Sequence, residues 1–449
     1  MPPSTRRPSD RTAPTAAVVP ESPLLRAFVR RALTGDGAAE SRAWRRLVLR
    51  GVPLVEPVRG DPSRRRVTFV WRPGGVVDRP SIYTPIANPL LGEFELLRAG
   101  GTGVWWRSFL VPRGTRALYA FSRTGAPGAS YGGDAWATYL RHLVADPHHG
   151  QRFTVAKDPD DPTDRAVTVS VLSLPGAPPW PYDVERGGGR LVRYSLGSRH
   201  LPGRRSVWVG SPDRPGGRRG PRNLVVAFDG PAYRSAVPVP SIVRRLTRTG
   251  RIGPTVVVLV GNAVHARDTE LAHNPRFVRF LVDELLPWLR TRHGIEAPAE
   301  RTVVAGSSLG GLAAAHAALE APDRFGNVLA QSGAFLWSRS KGTAPLPTLL
   351  EEYARSPRRP IRFYLDAGQL ERVVFPGLSK SLLDGVRDFR HVLLRRGYTV
   401  GYSEFAGGHD YACWAAAFGD GLRFLIGDRR TSGRLRPYGA ARAARGAGR

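Results

Sequence analysis

The chain has 449 residues, 41% of them hydrophobic, and carries a formal net charge of +30. That length accommodates two domains with separate cores, the single cysteine (Cys413) excludes an internal disulfide, and no stretch is long and apolar enough to span a bilayer. The basic residues are almost all arginine, the lysines being Lys157, Lys341 and Lys380. The arginines are spread along the chain without a helix-turn-helix, zinc or RNA-recognition motif, so a nucleic-acid partner is not expected, whereas a positive field attracts an anionic substrate.

Residues 1–22 are rich in Pro, Ser, Thr, Ala and Arg and read as a disordered lead. They hold no apolar segment of the kind a secretory signal needs, and a cytoplasmic location is expected. Leu24, Leu25, Phe28, Val29 and Leu33 recur near a 3.6-residue period, predicting helix between Ser22 and Arg50. From Arg66 the texture becomes β. Strands are predicted at Val67–Arg72, Phe94–Arg98, Val104–Val111 and Ala117–Phe121, with sandwich-like spacing. Trp71, Trp105, Trp106, Tyr119 and Phe121 serve either as core or as a binding platform, core being the commoner use. Residues 23–185 are thus expected to form a small immunoglobulin-like β-sandwich domain ending in the Pro/Gly-rich linker Pro175–Gly189.

The second domain is expected over residues 190–428. Val192–Leu196 and Ser206–Val209 predict an antiparallel pair, and Leu224–Phe228, Thr255–Val260, Val303–Ala305, Val328–Ala330, Ile361–Leu365 and Thr399–Phe405 predict buried strands. Helices are predicted at Phe277–Arg292, Leu312–Glu320, Leu382–Arg396 and Tyr411–Ile426. Strands alternating with helices give a mostly parallel sheet covered on both faces, in the order of an α/β-hydrolase fold. Residues 429–449 carry seven arginines and read as a disordered basic tail.

The chemistry centres on Gly306-Ser307-Ser308-Leu309-Gly310. A strand, a Gly-x-Ser-x-Gly turn and a helix make the setting of a nucleophile elbow, with Ser308 at the strained centre and Ser307 off-centre. The Leu309 N–H, opening the helix, faces a developing oxyanion, and the loop around Asp229 and Gly230 is the candidate for a second donor; Pro231 lacks an N–H. His409, in the loop between the last strand and last helix, occupies the position of the general base. Glu371 fits best as the acid, with Asp366 the runner-up and Asp384 a third candidate on a helix; a Ser–His pair without an acid is also known chemistry.

These residues carry a family resemblance. Phe228-Asp229-Gly230, the elbow, Gln331-Ser332-Gly333 and above all Gly407-Gly408-His409-Asp410 with Cys413-Trp414 resemble the enterochelin esterase family, over about residues 60–428. The resemblance implies Ser308 as nucleophile, His409 as base and an acid in the Glu371 segment. It implies no cofactor, and a strongly anionic partner: a ferric catecholate siderophore carrying its own iron. Arg267 matches a family position and is the expected substrate contact, against a purely structural pairing with Glu270 or Asp268; Trp337 and Trp414 are expected aromatic walls. Ser307-Ser308-Leu309 departs from the Gln-Ser-Phe of enterobacterial forms. The expectation is a serine esterase of a ferric catecholate siderophore releasing iron in the cytoplasm. The alternatives are an esterase or acyltransferase acting on other small or aromatic esters and, more remotely, a nucleic-acid-binding protein with an idle elbow. The oligomeric state is not legible.

Overall fold

The computed structural model describes residues 22–127, 133–177, 191–210, 223–338, 340–341, 344–345, 347–374 and 378–427. The expected lead, most of the linker, the Arg-rich stretch before Asn223 and the basic tail lie outside them.

The predicted helical segment is two helices, Pro23–Leu33 and Ala39–Leu49. Ser22 caps the first by accepting from Leu25 N–H at 3.1 Å, and Gly35-Asp36-Gly37 separates the two. Behind them lie two four-stranded antiparallel sheets. One orders Leu54–Val58, Asp61–Trp71, Trp105–Pro112 and Leu97–Arg98; the other orders Ser81–Tyr83, Arg116–Ser122, Val167–Ser173 and Arg152–Val155. Their facing residues, among them Phe69, Trp71, Val111, Tyr119, Phe121 and Leu172, share one core, so the sheets form a sandwich. The helices cover its outer face through Leu25, Phe28 and Trp44 against Val70 and Trp106. Trp71 stacks on Phe121 at 5.2 Å, and Trp71, Trp106, Tyr119 and Phe121 are all buried. These aromatics are core, not a platform. The expected strand Phe94–Arg98 shrinks to Leu97–Arg98, because Phe94 turns into a separate aromatic cluster with Trp136 and Tyr139.

The second half of the chain is built on an eight-stranded sheet in the order Thr399–Phe405, Arg362–Gly368, Asn327–Gln331, Thr302–Ser307, Asn223–Ala227, Thr255–Val260, Arg205–Gly210, Leu191–Leu196. The first six run parallel; the last two are the predicted antiparallel pair. The central strands are buried along their whole length, which explains their unbroken apolar runs. The predicted helix at Phe277–Arg292 is present from Pro275 to His293, with a π-helical turn at Phe280–Leu285. That turn lies just before Pro287, which has no N–H for an ordinary helical bond. The sheet matters because its register aligns strand ends: Ala227 pairs with Ala305, Ser307 with Gln331, Gln331 with Asp366, and Gly368 with Phe405. Every loop leaving those carboxyl ends opens onto one edge.

Candidate active site

Ser308 sits at φ 55°, ψ −121°, a conformation L-residues rarely adopt, between the strand Thr302–Ser307 and the helix Leu309–Glu320. Its backbone is held on both sides: Ser308 N–H donates to Gln331 O at 2.9 Å and Ser308 O accepts from Ala334 N–H at 3.1 Å. The turn requires glycine at 306, where a Cβ would come within 2.5 Å of the Gly310 backbone. Leu309 begins the helix, so its N–H is among the first-turn donors that have no intrahelical acceptor. Ser307 is 2% exposed and belongs to the strand.

On one flank lies the loop after Asn223–Ala227. Asp229 has φ 53°, and the short helix Gly230–Ser235 starts immediately after it. A Cβ on Gly230 would meet the Trp208 ring at 2.7 Å, so the chain turns there only as glycine. Asp229 accepts both Arg267 Nε (2.6 Å) and Arg267 Nη2 (2.8 Å), a two-pronged ion pair. Its carboxylate also lies 3.2 Å from where a Gly310 Cβ would be, so this pair abuts the elbow helix. Arg267 is therefore partnered, but by Asp229, with Asp268 a longer contact at 3.5 Å. Glu270, the other partner considered, is instead buried against Arg205 at 3.0 Å and Asn262 at 2.8 Å.

On the other flank, His409 Nδ1 meets Glu371 Oε2 at 3.1 Å. The second oxygen of Glu371 accepts from Gly368 N–H at 2.7 Å and from Ser332 Oγ–H at 2.6 Å. The Ser332 hydroxyl in turn accepts from the Trp414 indole N–H at 3.0 Å. Because an indole nitrogen only donates, it fixes the Ser332 proton towards Glu371. Trp414 also packs its ring edge-to-face with His409 at 4.8 Å. It is 4% exposed, so it lies beneath the His409–Glu371 pair and not in the cleft wall expected from sequence. Trp337 is 41% exposed on the loop that follows Ala334.

The remaining acids are placed elsewhere. Asp366 ends buried inside the sheet, accepting from Gln331 Nε2 at 2.9 Å, and Gln331 also joins Tyr233 Oη and Trp414 O. Burial pushes the Asp366 carboxyl well above the usual carboxylate range, opposed by the Gln331 hydrogen bond. Asp384 lies in the first turn of Leu382–Arg395, its N–H and carboxylate both bonded to Ser381. The structure thus brings Ser308, Leu309, Asp229, Gly230, Glu371 and His409 to one sheet edge, and sets Asp366 and Asp384 away from His409. Sequence reasoning did not single out Ser332 as a supporting residue. Its place directly after the apolar strand Asn327–Gln331 is the available sign, and the structure holds it there at φ 49°.

Comparison with known proteins bears on this arrangement. Residues 198–425, half of the chain, match the model of the putative esterase family, and residues 66–182 match that of the enterochelin esterase N-terminal domain. The chain is 27% identical over 443 residues to the iron(III) enterobactin esterase of Dickeya dadantii, covering 89% of this chain and 96% of that protein. It is 28% identical over 406 residues to the iron(III) salmochelin esterase of Escherichia coli, covering 86% and 93%. Among solved structures, the ferric enterobactin esterase of Salmonella typhimurium superposes with a TM-score of 0.68 at 25% identity, covering 86% of this chain and 98% of that one. The Shigella flexneri enterobactin esterase crystallised in the presence of enterobactin gives 0.63 at 26%, covering 87% and 99%. With its N-terminal module matched ahead of an α/β-hydrolase domain that carries a Ser308 elbow, the chain belongs to the enterochelin esterase family of ester hydrolases.

Proposed function

We propose that this protein hydrolyses the ester bonds of a ferric catecholate siderophore in the cytoplasm, with Ser308 as nucleophile, His409 as general base and Glu371 as the acid. The observation that carries the reading is the Glu371–His409 pair at 3.1 Å on the same sheet edge as the strained Ser308. The substrate class rests on the relatives named above, whose substrates are iron(III) enterobactin and salmochelin.

Ser308 Oγ attacks the ester carbonyl of a dihydroxybenzoyl-serine unit while His409 accepts its proton. The Leu309 N–H and the Asp229–Gly230 loop stabilise the oxyanion, and Arg267 keeps the Asp229 charge neutralised beside it. His409 returns the proton to the departing serine hydroxyl. Water, deprotonated by the same imidazole, then frees the acyl-enzyme. Glu371 holds the Nδ1 proton in place, leaving Nε2 for Ser308. Trp337 offers an exposed aromatic face to a catechol ring. The iron is part of the substrate.

The test is hydrolysis of ferric enterobactin followed by chromatography of dihydroxybenzoyl-serine products, with Ser308→Ala in parallel and p-nitrophenyl acetate as a second substrate. Products lost in the variant support the whole reading. Ser308-dependent cleavage of the simple ester alone would keep the mechanism and remove the siderophore.

A further inference from the structure

We propose that the N-terminal sandwich is a working part of the catalytic base, and that Asp410 is the positioning residue that locks the His409 loop onto it. The inference rests on His409 being the base.

The loop Ala406–Asp410 is held from outside the catalytic domain. Arg116 N–H, on the sandwich strand Arg116–Ser122, donates to Ala406 O at 3.0 Å. Leu118 N–H, two residues on and therefore on the same edge of that strand, donates to Asp410 Oδ2 at 3.1 Å. The Cys413 thiol donates back to Arg116 O at 3.3 Å. A sandwich strand thus adds its edge to the histidine loop on both sides of His409.

The fit leaves no room for side chains. A Cβ on Gly407 would lie 2.4 Å from Cys413 Sγ and 2.8 Å from Arg116 O, and one on Gly408 would lie 2.5 Å from Pro85 O. Arg116 and Pro85 belong to the sandwich domain, so the glycine pair preceding His409 marks where that domain presses on the loop. Around the polar contacts, Leu118, Ala120 and Phe153 pack with Ala236 and Ala412. The acid loop leans on the same body: Leu370, beside Glu371, packs against the sandwich core, and its N–H donates to Gly407 O at 2.9 Å.

Asp410 is the residue that no step of the ester chemistry uses and that the geometry explains. It is 4% exposed and caps the last helix by accepting Cys413 N–H on Oδ1 at 2.9 Å. A serine or threonine would do that much. The carboxylate supplies a second acceptor, and Leu118 N–H takes it. One side chain therefore starts the helix behind His409 and joins that start to the other domain.

The experiment uses the full chain, with Asp410→Ser, Asp410→Asn, His409→Ala and wild type compared on ferric enterobactin and on a p-nitrophenyl ester, per chain titrated by fluorophosphonate. Asp410→Ser keeps a helix cap but is too short for Leu118. Asp410→Asn keeps one acceptor and sets an NH₂ against the Leu118 N–H, so it serves if the serine variant does not fold. The expected result is a kcat lower by about tenfold to a hundredfold on both esters with KM changed by less than about twofold. Fluorophosphonate labelling slows in parallel, and amide exchange at Leu118 becomes faster. Wild-type kcat per titrated chain in either folded variant, with His409→Ala inactive, would overturn the interdomain lock alone. Full activity in His409→Ala would overturn the base assignment and the inference with it.

Discussion

The floor and the rim of this site are built on opposite terms. In the floor, Glu371, Ser332, Trp414 and Asp410 are all at most 5% exposed, and the hydrogen bonds among them, His409, Gly368, Cys413 and Leu118 commit both oxygens of each carboxylate. At the rim, Val264, Trp337 and Val374 are more than 40% exposed on loops leaving the carboxyl ends of the sheet, and Arg267 is 41% exposed. A buried network admits one arrangement, since an unpaired group inside it costs about 1–3 kcal/mol. An exposed rim tolerates change and is the surface proposed to meet the substrate. The floor should therefore govern kcat and the rim KM.

The largest expected effects break the floor. Glu371→Gln retains an acceptor for Gly368 and Ser332 but turns an NH₂ towards His409 Nδ1, favouring the wrong tautomer. Steady-state kinetics should show kcat lower by about 10³- to 10⁴-fold with KM little changed. Next come Ser332→Ala and Trp414→Phe, which remove the donors two and three hydrogen bonds behind the base. Each should lower kcat by about tenfold, and the double variant by much less than the product, because both break one relay. Equal, additive losses would show that the relay is not a unit.

The rim predictions are smaller and of another kind. Trp337→Ala should raise KM for a ferric catecholate by about fivefold to tenfold through lost ring stacking, leave kcat nearly unchanged and spare a small acetyl ester. Parallel losses on both esters would place Trp337 in the floor instead.

The smallest effect is expected at Asp366, which isolates the floor's chemistry from its packing. Burial holds its carboxyl protonated well above the usual range. For an acid raised by folding, the stabilisation is present below the unfolded value and is lost as pH rises through the folded one. Asp366→Asn, which mimics the neutral acid and still accepts from Gln331, should keep activity within about threefold and lose less stability than wild type as pH rises from the usual carboxylate range through the raised folded value. Melting temperature against pH, beside activity, checks both. A collapse of activity would make Asp366 the acid.

Much of the floor's framework was legible in the sequence because it is local. The buried runs at Leu224–Phe228, Thr255–Val260 and Val303–Ala305 have no polar interruption, and strand, elbow and helix follow one another directly. Glu371 was readable from its position past a strand. What escaped the sequence is what depends on long-range approach. Trp414, expected as an aromatic wall, is instead buried with its N–H on Ser332. Arg267 has acidic neighbours in sequence, yet its partner is Asp229, thirty-eight residues away. The reason for the glycines before His409 is invisible in the sequence, because Pro85 and Arg116 of the other domain supply it. Phe94 alternates like a strand residue but is drawn into an aromatic cluster by Trp136 and Tyr139.

The most direct test of the central claim is fluorophosphonate labelling with peptide mapping by mass spectrometry, with and without ferric enterobactin present. The account predicts one label per chain, on Ser308, formed more slowly when the siderophore competes. A label on Ser307, or labelling of Ser308 that the siderophore does not slow at any concentration, would contradict it.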